Sequence, residues 1–249
     1  ANRVALWWAH HVALRVNGYR AEADEALAQA YAFVLDAARG LSDEGLRRSL
    51  LNKNAEHREV VLAWLRHARR LPHAQREAHL AGESQLREPF ERLVETGLRL
   101  NELKTEAELR EFLVDEVTEL SGAERVLLVL DTAEGIEVAG SLLPQGEREA
   151  GLLAAVTPWL AEARRTRAAR LRHGPEGADA LDQRSCLVVP LIAQRELLGF
   201  VYADIEGAFG RFHDGDTQLL AMLAAQAALT LANLRAAEGL ERKVVERTA

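Results

Sequence analysis

Cysteine is almost missing from this sequence: Cys186 is the only one in 249 residues. An intrachain disulfide and a cysteine-based metal cluster are therefore excluded, and a reducing, cytoplasmic setting fits. Lysine is equally sparse, occurring only at positions 53, 104 and 243, so nearly all positive charge is arginine. The net charge of -7 argues against a nucleic-acid partner at the level of the whole chain, because phosphate affinity comes from clustered cations. No stretch is expected to supply the roughly 18 consecutive apolar residues of a membrane span, and no basic-apolar-small leader opens the chain. Neither G-x-x-x-x-G-K-[ST] nor G-x-G-x-x-G occurs, so phosphate-cradling loops of those kinds are missing and no cofactor is expected. What is present is 48% apolar residues on a length suited to one large or two small domains, enough to bury a sizeable core.

The most informative stretch runs from Arg184 to Glu241, because its period changes in the middle. Arg184-Ser-Cys-Leu-Val-Val-Pro-Leu-Ile192 is β-branched and apolar, Ala-Gln-Arg-Glu196 closes it, and Leu197-Leu-Gly-Phe-Val-Tyr-Ala-Asp204 answers it. That is a strand, a tight turn and a second strand. A loop, Phe209 to Asp216, leads into Leu219, Leu220, Leu223, Ala227, Leu231 and Leu234 at helical spacing. Upstream, Arg125 to Asp131 holds a dense apolar run that reads as a buried strand, with Ile136 to Ser141 as its partner. Glu147 to His173 reads as helix interrupted at Pro158. The order helix, helix, strand, strand, helix, loop, strand, strand, helix predicts an α+β fold, an antiparallel sheet covered by helices.

Three pieces of this region, in this order and spacing, resemble the C-terminal half of a GAF domain. They are Val189-Pro-Leu191, Leu198-Gly-Phe-Val-Tyr202, and Phe212-His-Asp-Gly-Asp-Thr-Gln-Leu-Leu220 running into Ala224-Ala-Gln-Ala-Ala228. The resemblance implies a sensory domain over 89–234 and a ligand held between the sheet and the helix-loop segment before the central strands. On this sequence that implies a pocket walled by Val156, Trp159, Leu160, Cys186, Val188, Tyr202 and Asp204, with Tyr202 and Asp204 as the polar members. Filled core is the alternative. The Asn-Lys-Phe-Asp-Glu signature of cyclic-nucleotide-binding members is absent, so that ligand is not carried over.

Residues 1–71 read as helices only. Leu6, His10, Ala13 and Leu14 share a face that stops at Asn17-Gly18. Leu27, Ala30, Tyr31, Val34, Leu35 and Ala38 form a stronger stripe ending at Gly40. Ser42 is expected to cap the next helix, and Val60, Val61, Trp64 and Leu65 define another. The stacking is similar to the last repeats of a tetratricopeptide-like array through Ala26, Ala30 and Phe33, implying a possible protein partner and an exposed upstream face around Leu6, Trp7 and Trp8. Residues 72–88 read as a helical linker, with Pro89 in the first turn of the next helix.

Chemistry is sparse. Cys186 has no histidine beside it and sits in an apolar strand, which predicts an inert thiol and disfavours both methionine sulfoxide reduction and tetrapyrrole attachment, two activities known among GAF proteins. His73 and Glu77 have a metal-ligand interval without a third ligand, so no metal is expected. Asp214 and Asp216 precede a helix and are expected to cap its amides. Arg164, Arg165, Arg167, Arg170 and Arg172 form an acid-free run, of which Arg164, Arg167 and Arg170 are candidate anion contacts; a solvated helix end is the alternative. Residues 235–249 read as the start of a signalling helix. Leu231, Leu234, Leu240 and Val244 are candidate dimer-seam positions on it. The chain begins at Ala1 and ends inside a helical pattern, and is expected to be a piece of a longer protein. The expectation is a non-catalytic sensory fragment that binds a small ligand or mediates homodimerisation and acts on a histidine kinase or nucleotide cyclase. A redox enzyme or sensor using Cys186, and a pure assembly scaffold, are the alternatives.

Overall fold

The computed structural model describes residues 2–81 and 87–248, apart from the side chains of residues 70, 87–90 and 241–248. Among the described residues it contains nine α-helices and one five-stranded sheet. Four helices come first: α1 (Arg3–Val16), α2 (Arg20–Arg39), α3 (Glu44–Lys53) and α4 (Ala55–His67). The one-turn α5 (His73–Arg76) follows, then α6 (Arg87–Leu100) and α7 (Glu106–Ser121). The remainder is β1 (Arg125–Thr132), β2 (Gly135–Leu142), α8 (Glu149–Thr166), β3 (Arg170–Gly174), β4 (Arg184–Ala193), β5 (Glu196–Glu206) and α9 (Asp214–Thr248). The sheet order is β2-β1-β5-β4-β3 and every neighbouring pair is antiparallel. This is the expected α+β arrangement.

Period-two alternation sends each central strand's side chains to two different cores. Val126, Leu128, Leu130, Leu187, Val189, Val201, Ala203 and Ile205 join the larger one, where they meet α7, α9 and the N-terminal helices. Leu127, Val129, Cys186, Val188, Phe200 and Tyr202 join a smaller one covered by α8 through Leu152, Val156, Leu160 and Ala163. Close strand approach leaves no room for a side chain at Gly199, where an added Cβ would lie 2.2 Å from the Val129 carbonyl oxygen. Gln194 and Arg195 both take positive φ at the β4–β5 turn, which suits the right-handed twist of the hairpin.

α9 follows from its apolar stripe. Leu219, Leu220, Leu223, Ala224, Ala227, Ala228 and Leu231 are all buried, and each leucine so placed contributes roughly 1.5–3 kcal/mol. Contrary to the expectation for membrane-length runs, Asp214–Leu240 is long and apolar enough to cross a bilayer by length and composition, with a hydropathy of 1.4. Packing explains the buried stripe, whereas Met222, Leu229 and Leu240 on the same helix are exposed.

Several boundaries differ from expectation. The helix expected to reach His173 ends at Thr166, because Arg167 turns left-handed at φ 51 and the chain then pairs as β3 along the free edge of β4, Arg172 opposite Cys186. Edge pairing overrides the helical preference of an Ala/Arg-rich run. The cap of α3 is Asp43 rather than Ser42: its Oδ1 accepts from the Leu46 amide at 3.0 Å. α6 begins at Arg87, two residues before Pro89, and the expected linker falls partly outside the described residues.

The N-terminal helices are joined closely to the sheet domain. Gly122 is left-handed (φ 66), and a Cβ there would lie 2.4 Å from the Gly45 carbonyl oxygen. Arg48 of α3 donates to the Ser121 carbonyl at 3.1 Å and to Asp216 at 2.6 and 3.0 Å. His79 takes the Tyr31 hydroxyl on Nδ1 (2.8 Å) and reaches the Ala208 carbonyl from Nε2 (2.8 Å).

Candidate ligand site

The α8 face of the sheet is incompletely filled. A cavity of about 680 Å³ lies between α8, β3 and the adjoining ends of β1, β4 and β5. Its floor is Leu152, Val156, Trp159, Cys186 and Tyr202, and its rim carries Arg125, Arg148, Arg172, His173 and Arg184 against one carboxylate, Glu147. The Trp159 and Tyr202 rings stack with centroids 6.3 Å apart, so an apolar, aromatic surface sits beneath a cationic mouth.

The rim arginines differ in how well they are neutralised. Asp204, fully buried, receives Arg125 Nη2 at 2.7 Å, Arg184 Nη1 at 2.7 Å and the Tyr202 hydroxyl. Arg184 continues to Glu124 at 2.7 Å, and Glu124 to Arg58 of α4 at 2.7 Å. At the other end Arg125 Nη1 meets Glu147 at 3.0 Å. An alternating chain of charges thus runs from the pocket mouth, beneath its floor, to the N-terminal helices. The Arg148 side chain has no ion pair or hydrogen bond among the described residues, and the Arg172 guanidinium reaches Glu162, outside the cavity.

Burial alone would lower the proton affinity of Arg125, but the hydrogen bonds and charge of Asp204 outweigh it and raise its pKa. Burial likewise favours protonated Glu124, yet Arg184 and Arg58 hold it below the ordinary carboxylate value. Burial and the Asp204 charge push the Tyr202 hydroxyl up, so it remains a donor. Burial raises Cys186 as well, and the Tyr202 hydroxyl lies 3.5 Å from its sulfur. A buried, protonated thiol is a poor nucleophile. His173 is lowered by burial and by Arg211 and His213 nearby, while its Nδ1 contacts Ser185 Oγ at 2.8 Å.

Of the residues expected to wall a pocket, Val156, Trp159, Cys186 and Tyr202 line the cavity. Leu160 and Val188 lie in the packed core of the same face, and Asp204 sits underneath as the counter-ion of the rim. The expected anion contacts need correction. Arg164 pairs with Asp131 at 2.8 Å, Arg167 donates to the Arg195 carbonyl, Arg170 lies 3.7 Å from Glu162, and none lines the cavity. The chain turns out of its helix at Arg167, which scatters them. Arg125, Arg148, Arg172 and Arg184 take the place intended for them. Only Arg172 belonged to the acid-free run; the other three are brought together by strand pairing.

Among the expected seam residues, Leu231 is buried in the large core and cannot face a partner, whereas Leu240 is 65% exposed. Leu234 packs against the core, and the Val244 side chain lies outside the described residues. Asp216 accepts from the His213 amide at 2.7 Å, as a helix-start carboxylate does, and also pairs with Arg48. The third partner that His73 and Glu77 lacked is supplied by Asp179, whose Oδ2 lies 3.9 Å from His73 Nε2; Arg76 also approaches it, at 3.7 Å, so a cation is already there.

Residues 108–231 match the GAF domain family. This part of the chain is a GAF domain. Similar solved structures include the GAF domain/HD domain protein from Geobacter sulfurreducens (19% identity, 55% of this chain and 97% of that one, TM-score 0.44). Another is the GAF domain of a phosphoenolpyruvate-protein phosphotransferase from Coxiella burnetii (18% identity, 63% and 99%, TM-score 0.44). A third is the GAF-B domain of DevS from Mycobacterium smegmatis (20% identity, 55% and 98%, TM-score 0.39). Among curated proteins none matches the chain significantly.

Proposed function

We propose that this chain is a non-catalytic sensory fragment whose GAF pocket binds a small anionic ligand carrying a planar apolar group. The observation that carries the reading is the composition of the pocket wall: four guanidinium groups and one carboxylate around an aromatic floor. The ligand's anionic end meets Arg148 and Arg172, the two rim arginines with least compensation, and its planar part lies along Trp159. An anion at the mouth also competes with Glu147 for Arg125, which supplies a way for occupancy to act on the chain of charges leading to Arg58. Nucleotides and aromatic carboxylates both have this chemistry. The test is quenching of tryptophan fluorescence on titration with each class at low salt. Saturable quenching lost in Arg148→Gln is expected, and no response to either class would refute an anionic ligand.

The second element of the proposal is homodimerisation through α6 and α9. Val94 and Leu98 on α6 are 70% and 66% exposed, and Met222 and Leu229 on the adjoining α9 are 48% and 52% exposed. Met222, Leu229 and Ala236 recur every seven residues and are followed four residues later by Gln226, Asn233 and Leu240, a heptad spacing whose seam is interrupted by two polar residues. Through that seam the α9 helices of two copies carry a small shift to a downstream histidine kinase or nucleotide cyclase, in a cytoplasmic protein. The tetratricopeptide-like helices then serve a protein partner. Sedimentation analysis checks the dimer: Leu98→Glu with Leu229→Glu should give monomers, and an unchanged dimer would exclude this face.

A further inference from the structure

A second cationic cavity lies at the junction of the N-terminal helices with the GAF domain and shares no lining residue with the sensory pocket. It is small, about 120 Å³, and is bounded by α3 and by the loop from β5 into α9. Arg47, Arg48, Arg211 and His213 line it, and Glu44 is the one carboxylate among the described residues that do.

The two neighbouring arginines of α3 stand in opposite conditions. Arg48 is 1% exposed and its charge is met by Asp216 at 2.6 Å, Glu44 at 2.9 Å and the Phe212 ring, although its Nε has no hydrogen-bond partner. Arg47 is 3% exposed, yet it has no ion pair among the described residues and its Nη1 has no hydrogen-bond partner. The acids on its own helix are committed elsewhere. Asp43 caps the Leu46 amide and pairs with Arg92 at 2.9 Å, and Glu44 holds Arg48 and lies 3.7 Å from His213. Arg211 donates to the neutral Gln183 and, with no ion pair among the described residues, brings a further positive charge. A guanidinium cannot shed its proton to escape burial, so an uncompensated one is strongly unfavourable unless a counter-ion joins it.

We propose that this cavity binds a small oxyanion of the phosphate or sulfate type, held by Arg47 with support from Arg211 and His213. The cavity lies far below the roughly 300 Å³ at which pockets accept drug-sized ligands, which restricts the occupant to an ion of this size. Its position at the start of α9 means that the bound anion fastens α3 to the helix leaving the sensory domain. The inference is independent of the ligand assigned to the larger pocket.

The test is thermal unfolding of the whole chain as inorganic phosphate is titrated at constant ionic strength, chloride making up the balance. The wild-type midpoint should rise with phosphate, by about 5 °C at a hundredfold excess over the dissociation constant, and go on rising with the logarithm of its concentration. Arg148→Gln, altered only in the sensory pocket, should shift equally. Arg47→Met should not respond, and in phosphate-free buffer it should melt at or above the wild-type temperature, since an apolar side chain of similar length replaces an unpaired charge. A wild-type midpoint that phosphate does not raise would overturn the assignment, as would an equal shift in Arg47→Met or one lost only in Arg148→Gln. If Arg47→Met does not fold, crystals of the wild type soaked in selenate decide the matter: an anomalous peak beside Arg47 supports the site and its absence refutes it.

Discussion

The two faces of the GAF sheet are built from the same alternating strands but are finished differently. On one, Val126, Leu128, Val189 and Val201 meet α7, α9 and the N-terminal helices, and the space is filled. On the other, Leu127, Cys186 and Tyr202 meet α8 alone, and a cavity of about 680 Å³ remains. A single helix is too narrow to cover a five-stranded sheet. The difference teaches that the apolar content of a strand pair does not reveal which face is core and which is site; the number of covering helices does.

The filled face should therefore be the sensitive one. Phe212→Ala removes a side chain with no exposure that also carries Arg48 over its ring, and should cost about 3–5 kcal/mol in denaturant unfolding. Arg48→Ala leaves Asp216 without its partner and should cost a comparable ~3 kcal/mol, with most of the loss in the packing of α3 on α9. Equal stability in either variant would mean that the filled face is not continuous with the N-terminal helices.

A pH effect of similar size is expected at the same junction. Burial, despite the Ala208 carbonyl, lowers the His79 pKa from 6.5 to about 4. In that interval the unfolded chain binds a proton that the folded chain does not. The contribution of neutral His79 is thus complete above pH 6.5 and declines as pH falls toward 4, by up to about 3 kcal/mol. His79→Gln should flatten that part of the stability profile; an unchanged slope would show that His79 titrates normally.

The hollow face should tolerate more. Trp159→Ala should cost only about 1–2 kcal/mol, because part of the ring faces the cavity rather than other side chains, while removing the stacking surface for a ligand. Smallest of all, Arg148→Gln should leave stability within about 0.5 kcal/mol, as an exposed side chain without partners does. Large losses from either substitution would indicate that this face is packed core after all.

The sequence disclosed the strands, the turn at Ala193–Glu196 and the stripe of α9 because each is set by local pattern: β-branched runs, turn residues, helical spacing. It also placed Val156, Trp159, Cys186 and Tyr202 at one site through the family resemblance. β3 was hidden, since Arg170 to Gly174 has no strand signature of its own and is recruited by the open edge of β4. The rim arginines were hidden for the same reason: Arg125, Arg148 and Arg184 are far apart in the chain, and only strand register and the start of α8 bring them together. Asp204 was recognisable as a polar residue in a strand, but not as the buried counter-ion of two of them. Leu231 illustrates the reverse error, a position on the correct helix whose side chain turns toward the core.

The most direct measurement is native mass spectrometry of the freshly purified chain beside Arg148→Gln prepared in the same way. The hollow, cationic face predicts a retained small molecule bearing a phosphate or carboxylate group in the wild type, and its loss or marked depletion in the variant. A wild type that carries no such molecule and gains none when nucleotides and aromatic carboxylates are added, or a variant that retains the same molecule in full, would contradict the account.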